Sequence, residues 1–336
     1  MATFPLLPDP DSEQRPRLVG IARIAAAGES LREGHNVEYF TMGARSLLNR
    51  VVSRRNLPFT WAINPYRGCE FACKYCYARY THEFMELRDG AEFEQKIFVK
   101  QHAADLLRQE LRRVKAGESV AIGTATDPYQ PAERRFEVTR GILEEFARHS
   151  GLEIGIVTKS SLVVRDVELL RRIAANNRVF VSLTVTTVNT DLARILEPRA
   201  PRPDLRLEAV RQLNLAGVDA GVNLAPVLPE ITDSPRDLEA VIKAASEAGA
   251  KSVFAGPLFL KPCSAAVFLP FLEEHFPALL ERYRKRYEDH AFLPKGYGER
   301  LSQLIAALRR KYGIQRALRS QDRRLQELYS KQLGLF

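Results

Sequence analysis

Apolar residues recur along this chain with two different periods. Six short runs, often β-branched, read as buried strands: Phe59–Ile63, Ser119–Thr124, Leu152–Thr158, Arg178–Val185, Asp219–Val227 and Lys251–Leu258. Between them, Gln101–Lys115, Val138–His149, Val164–Ala175, Asp204–Ala216 and Pro235–Ala248 place apolar residues three and four apart, the spacing of one helix face. Gly117, Gly151, Gly217 and Gly249 stand where helices should stop before the next strand. This alternation predicts an α/β fold with a parallel sheet. Six units are too few for a closed eight-fold barrel, so the expectation is a partial (β/α)6 TIM-like barrel or an open curved sheet. In both cases the active site belongs at the carboxyl ends of the strands.

The flanks differ from this core. Residues 1–57 read as an irregular N-terminal extension, with no strand or helix expected before Thr41–Val52, and 58–260 as the barrel. The remainder, 261–336, reads as helical: Ala265–Tyr287, Glu299–Tyr312, and a charged helix from about Ser320 to Lys331. Leu301, Leu304, Ile305, Leu308 and Tyr312 form one stripe, which leaves Arg309, Arg310 and Lys311 mostly outward. No repeat beyond the strand–helix rhythm and no low-complexity linker marks a second independent domain.

At 336 residues and 45% hydrophobic content the chain can bury a large core. No window approaches the roughly 20 apolar residues of a membrane span, and the first residues lack a signal-peptide pattern, so a soluble, cytoplasmic protein without a membrane partner is expected. The net charge is +9, and 14 Lys or Arg against 6 Asp or Glu lie in residues 277–336. A basic flank of that kind suits nucleic acid, DNA above all, or is simply a set of solvated helix faces. Four cysteines, three of them clustered, exclude a disulfide framework and point to a reducing compartment.

Those three, Cys69, Cys73 and Cys76, have the spacing Cys-x3-Cys-x2-Cys and directly follow the first strand. Three thiolates can hold three corners of a 4Fe-4S cluster and leave one iron open. The competing reading is a zinc site completed by His82, but structural zinc usually draws two ligand pairs from separate turns, and no second cysteine pair exists.

The cysteine motif, with Tyr75 before its third cysteine, resembles that of the radical S-adenosylmethionine (SAM) superfamily. Tyr75-Cys76-Tyr77, Gly123-Thr124-Ala125-Thr126-Asp127-Pro128-Tyr129-Gln130-Pro131, Thr158-Lys159-Ser160 and Val181-Ser182-Leu183-Thr184 narrow the resemblance to the spore photoproduct lyase-like branch. It implies a 4Fe-4S cluster on Cys69, Cys73 and Cys76 and S-adenosyl-L-methionine as cofactor, cleaved to methionine and a 5′-deoxyadenosyl radical. It also implies Tyr75 near the adenine, Lys159 and Ser182 on the SAM carboxylate and its polar neighbours, Thr126 as a weaker member of that set, and an electron donor such as flavodoxin or ferredoxin; Tyr75 and Tyr77 read either as radical relays or as rings packed against the cluster loop. By residue chemistry alone, Lys159 is equally a solvated strand-end lysine, Ser182 can bond a backbone carbonyl, and Asp127 reads as an Asx-turn former.

The chain departs from the lyase at one position. Where that family carries a hydrogen-donating cysteine at the end of the second strand, this sequence has Thr124, whose O–H bond is far stronger than a thiol S–H. Cys263, just beyond the sixth strand, reads as a buried, inert thiol. The last residues, Gln332-Leu333-Gly334-Leu335-Phe336, resemble the peptide with which bacterial repair and replication proteins dock on the sliding clamp, two apolar anchors on a tail. The expected activity is therefore radical SAM chemistry for repair or modification of nucleic acid. Radical modification of a peptide or small molecule, and a non-catalytic zinc-stabilised nucleic-acid-binding protein, are the alternatives.

Overall fold

The computed structural model describes residues 18–28, 30–34, 37–51, 59–115 and 118–314. All six expected strands form: β1 (Trp61–Ile63), β2 (Ser119–Ile122), β3 (Glu153–Thr158), β4 (Arg178–Thr184), β5 (Ala220–Val227) and β6 (Val253–Pro257). They pair in parallel and in chain order, β1 to β6, and a two-residue antiparallel strand, Asn49–Arg50, extends the β1 edge. Among the described residues β6 and Asn49–Arg50 remain the two edges, so the sheet is open.

The expected helices pack on one face of this sheet: α1 (Ala103–Glu110), α2 (Val138–Phe146), α3 (Val167–Asn176), α4 (Pro203–Leu215) and α5 (Pro235–Glu247). Ile63, Ile122, Ile156, Val181 and Val222 point to that face and are fully or nearly fully buried with Ile142, Leu170, Val210 and Ile242 of the helices. Helices α4 and α5 end on Gly217 and Gly249, whose φ angles of +85° and +72° belong to the left-handed region that closes a helix without Cβ strain.

The opposite face is small over β1 to β3. Ala62, Ala121 and Gly155 lie in one register row, which Phe180 continues on β4, and Ser182 and Gly221 lie in another; a Cβ on Gly155 would meet nothing within 4 Å, whereas one on Gly221 would stand 2.9 Å from the Phe180 ring. Side chains alternate across a strand, so the same sequence that fills the helix-side core leaves room on this side.

After β6 come α6 (Pro262–His275), α7 (Leu280–Arg286) and α8 (Lys295–Lys311). The run expected as one helix over Ala265–Tyr287 is divided: Phe276 leaves the helical region at φ −142° and a 3-10 turn Pro277–Leu279 follows, because a proline excludes helical geometry before it. The stripe on α8 behaves as expected, with Leu301, Ile305 and Leu308 buried against β6 and α5.

The N-terminal flank corrects the sequence reading. It carries a helix, Gly20–Ala26, and strands Ser30–Gly34 and Val37–Met42, which join Lys96–Lys100 and Tyr66–Arg67 in a second, four-stranded sheet. The basic flank is also more neutralised than its count suggests: Arg282 and Arg286 both pair with Glu230, Arg284 with Glu281, and Lys311 with Glu239. Gly117, the charged helix Ser320–Lys331 and the tail Gln332–Phe336 lie outside the described residues. No described helix is long and apolar enough to cross a membrane.

Candidate cluster and cofactor site

The cysteine loop starts where the chain leaves β1 and joins the small sheet. Gly68 turns it at φ +82°, and a Cβ there would stand 2.6 Å from the Lys96 carbonyl and 2.9 Å from that of Phe93, so only glycine permits the approach. The loop is then held from several elements. Thr126 Oγ1 and Gln130 Nε2 donate to the Gly68 carbonyl at 2.6 and 3.1 Å, and Glu70 N donates to Gln130 Oε1 at 3.0 Å. The Lys74 amide donates to the Leu196 carbonyl at 2.9 Å, and the Ser264 hydroxyl to the Cys76 carbonyl at 2.9 Å. Asp127 forms the expected Asx turn with Tyr129 N and also accepts from Thr158 Oγ1 at 2.6 Å and Lys159 N at 2.7 Å, which locks the loop after β2 to the end of β3.

Cys69 and Cys73 are buried and Cys76 is half-buried. Burial pushes all three thiols up, Cys73 to about 12, and the neighbouring thiols add to the shift for Cys69 and Cys73. Lys159 opposes it at Cys73, and Arg79 followed by Lys159 opposes it at Cys76. Ligation to a metal deprotonates a thiol outright, and these cations offset the negative charge that thiolates bring. The donor set fits an iron–sulfur cluster: three soft donors on one loop, with Lys159 and Arg79 near Cys73 and Cys76 and the carboxylates of Asp127 and Glu197 near Cys69 and Cys73. His82 commits its Nε2 to the Lys96 carbonyl at 3.0 Å and packs its ring against Phe93 and Phe98, with Nδ1 buried and without a hydrogen-bond partner. Among the described residues no three His, Cys, Asp or Glu side chains are grouped as a single-ion site.

Lys159 follows β3 with its side chain 15% exposed, which removes the reading as a solvated strand end. Its ammonium lies 5.6 Å from the Tyr75 ring centroid and 3.9 Å from Glu197 Oε1. Burial lowers its pKa, but the negative charges of Cys73 and Glu197 outweigh that and raise it. Glu197 is itself buried, with Oε2 2.5 Å from Arg206 Nη2, and both side chains are 1% exposed. Against the upward push of burial, Arg206 and then Lys159 hold the Glu197 carboxyl below its ordinary range. Its Oε1 also accepts hydrogen bonds from Tyr75 OH and, at 3.0 Å, from Thr186 Oγ1. Arg206 is completed by the carbonyls of Thr184 at 3.0 Å and Pro201 at 2.7 Å.

Sequence reasoning missed Glu197 and Arg206. The signal for Arg206 was present: it occupies the stripe Arg206, Ala209, Val210, Leu213 that α4 buries, and an arginine on a buried stripe requires an anion.

The other candidates are placed apart from one another. Ser182 sits half-buried on β4, in register with Val157 and Gly221 on the small-residue face. Thr126 is buried and commits its hydroxyl to the cysteine loop. Tyr77, unlike Tyr75, is 42% exposed, and its phenol donates to the Thr124 carbonyl. Thr124 Oγ1 accepts from Asn64 Nδ2 at 3.1 Å. Cys263 is half-buried rather than buried, one residue from the Ser264 that bonds the cysteine loop.

Comparison with known proteins agrees with this construction. The family model of the radical SAM superfamily matches residues 63–253. An uncharacterized protein of Mycobacterium tuberculosis is 38% identical over 271 residues, 80% of this chain and 79% of its own. One of Methanocaldococcus jannaschii is 30% identical over 173 residues, 52% of this chain and 62% of its own. Among solved structures, a spore photoproduct lyase variant superposes with a TM-score of 0.61 at 16% identity, covering 82% of this chain and 79% of that one. Another, with bound AdoMet and dinucleoside spore photoproduct, gives 0.59 at 13%, with the same coverage. The open parallel sheet, the cysteine loop at its carboxyl rim and the family match together establish that this chain belongs to the radical SAM superfamily, is an enzyme of that class, and shares the fold of spore photoproduct lyase.

Proposed function

We propose that this enzyme binds a 4Fe-4S cluster through Cys69, Cys73 and Cys76, cleaves S-adenosylmethionine reductively, and directs the resulting radical at nucleic acid, for repair or modification. The observation that carries the reading is the placement of three cysteines on one braced loop facing the buried Lys159. The cluster, when bound, supplies the electron that breaks the SAM carbon–sulfur bond, and a donor such as flavodoxin or ferredoxin restores it.

The chain's own residues bind and orient. Lys159 offers the SAM carboxylate a point charge that Glu197 and the Tyr75 ring hold in place. Tyr75, buried and fixed through its hydroxyl, presents a ring for the adenine side. Ser182 adds a hydroxyl on the face that Gly155 leaves open. Thr126 acts at one remove, by fixing Gly68. Tyr77 is the relay candidate with access to solvent, over Thr124.

Nucleic acid as substrate is supported by the +9 charge and by the fold shared with a lyase solved with a dinucleoside lesion. The test is anaerobic reconstitution followed by reduction with SAM in the presence of undamaged and ultraviolet-irradiated DNA, with 5′-deoxyadenosine and base products followed by mass spectrometry. Stoichiometric zinc without deoxyadenosine would sink the reading. Binding to DNA should weaken steeply with salt through counterion release.

A further inference from the structure

Beyond the carboxyl end of β6, beside the cysteine loop, lies a cavity of about 550 Å3 with largely aromatic walls. Phe259 and Phe292 stack with centroids 4.3 Å apart and planes 25° apart, while Tyr80 and Phe84 meet edge to face at 5.8 Å. The Lys261 ammonium stands 3.9 Å from the Tyr80 centroid. Phe84 is 56% exposed, an apolar ring left at the mouth. The cavity adjoins the radical-generating side of the molecule: the Tyr77 ring packs on Phe259 at 6.2 Å, and Ser264, next to Cys263 in the wall, bonds the Cys76 carbonyl.

Its chemistry selects among ligands. Flat aromatic walls receive a flat π-system, and a volume of this size is that of a small-ligand pocket. Two carboxylates, Glu83 and Asp289, line the cavity with one ammonium, Lys261, and the imidazole of His290, so a phosphate is disfavoured inside, whereas the N–H edge of a base finds acceptors there. We propose that this cavity receives one unstacked nucleobase of a nucleic-acid strand, with the phosphates outside it. The inference rests on the nucleic-acid reading above and adds a subsite to it. An aromatic side chain of a peptide would meet the same walls, but a chain of net charge +9 favours the polyanion.

The experiment uses the full chain and a single-stranded oligodeoxynucleotide carrying one 2-aminopurine, at low salt, with Phe84→Ser and Phe292→Ala compared with the parent. Stacking in the cavity quenches the 2-aminopurine, and each variant should lose about tenfold in single-strand affinity and much of the quench. Affinity for a duplex of the same length should not change, because its bases stay stacked. Phe84 is exposed, so its replacement leaves the melting temperature in place and separates base stacking from folding. Parental affinity and quench in both variants would overturn the subsite and leave the nucleic-acid reading standing. Failure of the parent to bind any oligonucleotide, or capture of an aromatic tripeptide alone, would overturn both.

Discussion

The two walls of the site are made differently. The wall formed by β2, β3, β4 and α4 is a closed polar framework: Asp127 ties two strand ends together, and Glu197 is shared by Arg206, Lys159, Tyr75 and Thr186. The wall after β6 is aromatic, half-exposed and held mainly by ring contacts around Phe259 and Tyr80. A buried framework of charges suits one small ligand of fixed shape, because each partner is oriented in advance. Rings at an open mouth suit something larger whose identity varies. On the reading proposed above, the difference puts radical generation and substrate choice in separate physical environments on one rim.

The largest effect should separate the walls completely. Cys73→Ala is expected to bring bound iron and 5′-deoxyadenosine to background while oligonucleotide binding persists; activity retained in that variant would refute the role of the triad. Next in size, Arg206→Met leaves the Glu197 carboxylate without its nearest counter-ion and should destabilise the protein by about 3–5 kcal/mol in urea unfolding. A change below about 1 kcal/mol would mean that the framework is not what holds this wall.

Acid should affect the walls in sequence. His82 anchors the short helix Tyr80–Glu83, which carries part of the aromatic wall, and burial lowers its pKa from 6.5 to about 4. A group depressed in the folded state contributes stability that is present above pH 6.5 and lost as pH falls towards 4, up to about 3 kcal/mol. Glu197, also held below its ordinary value of 4.5, keeps its contribution until the pH falls below that value. Urea midpoints at pH 7 and pH 5 should therefore differ, and His82→Gln should flatten the difference; an unaltered slope would remove His82 as the cause. The smallest effect belongs to Lys159→Met, expected to weaken SAM binding by about thirtyfold in calorimetry of the reconstituted enzyme. Unchanged affinity would exclude Lys159 from the cofactor site.

The same contrast explains what could be read from the chain. The six strands were legible because each is a run of apolar, β-branched residues, and the cysteine triad because its ligands are adjacent in sequence. The small sheet was not, since its strand Tyr66–Arg67 is two residues long and owes its strand form to Lys96–Lys100, about thirty residues on; Asn49–Arg50, at the edge of the large sheet, is equally short. Glu197 escaped for a related reason: its partners come from the cysteine loop, the end of β3 and a helix that follows it, and no local pattern records that meeting. Thr126 entered the cofactor set through resemblance alone, and the bond its hydroxyl makes, to a carbonyl 58 residues away behind the loop, has no local pattern to announce it.

One oxygen of Glu197 serves a phenol, a hydroxyl and an ammonium together. The single negative charge of Glu197 is divided between Arg206 and Lys159, so the group keeps one positive charge in excess. On the proposed reading, the carboxylate of S-adenosylmethionine would supply the second negative charge that these two cations lack, so its arrival completes a charge balance. On that reading an anionic ligand is favoured over a neutral analogue, because only the anion completes the balance.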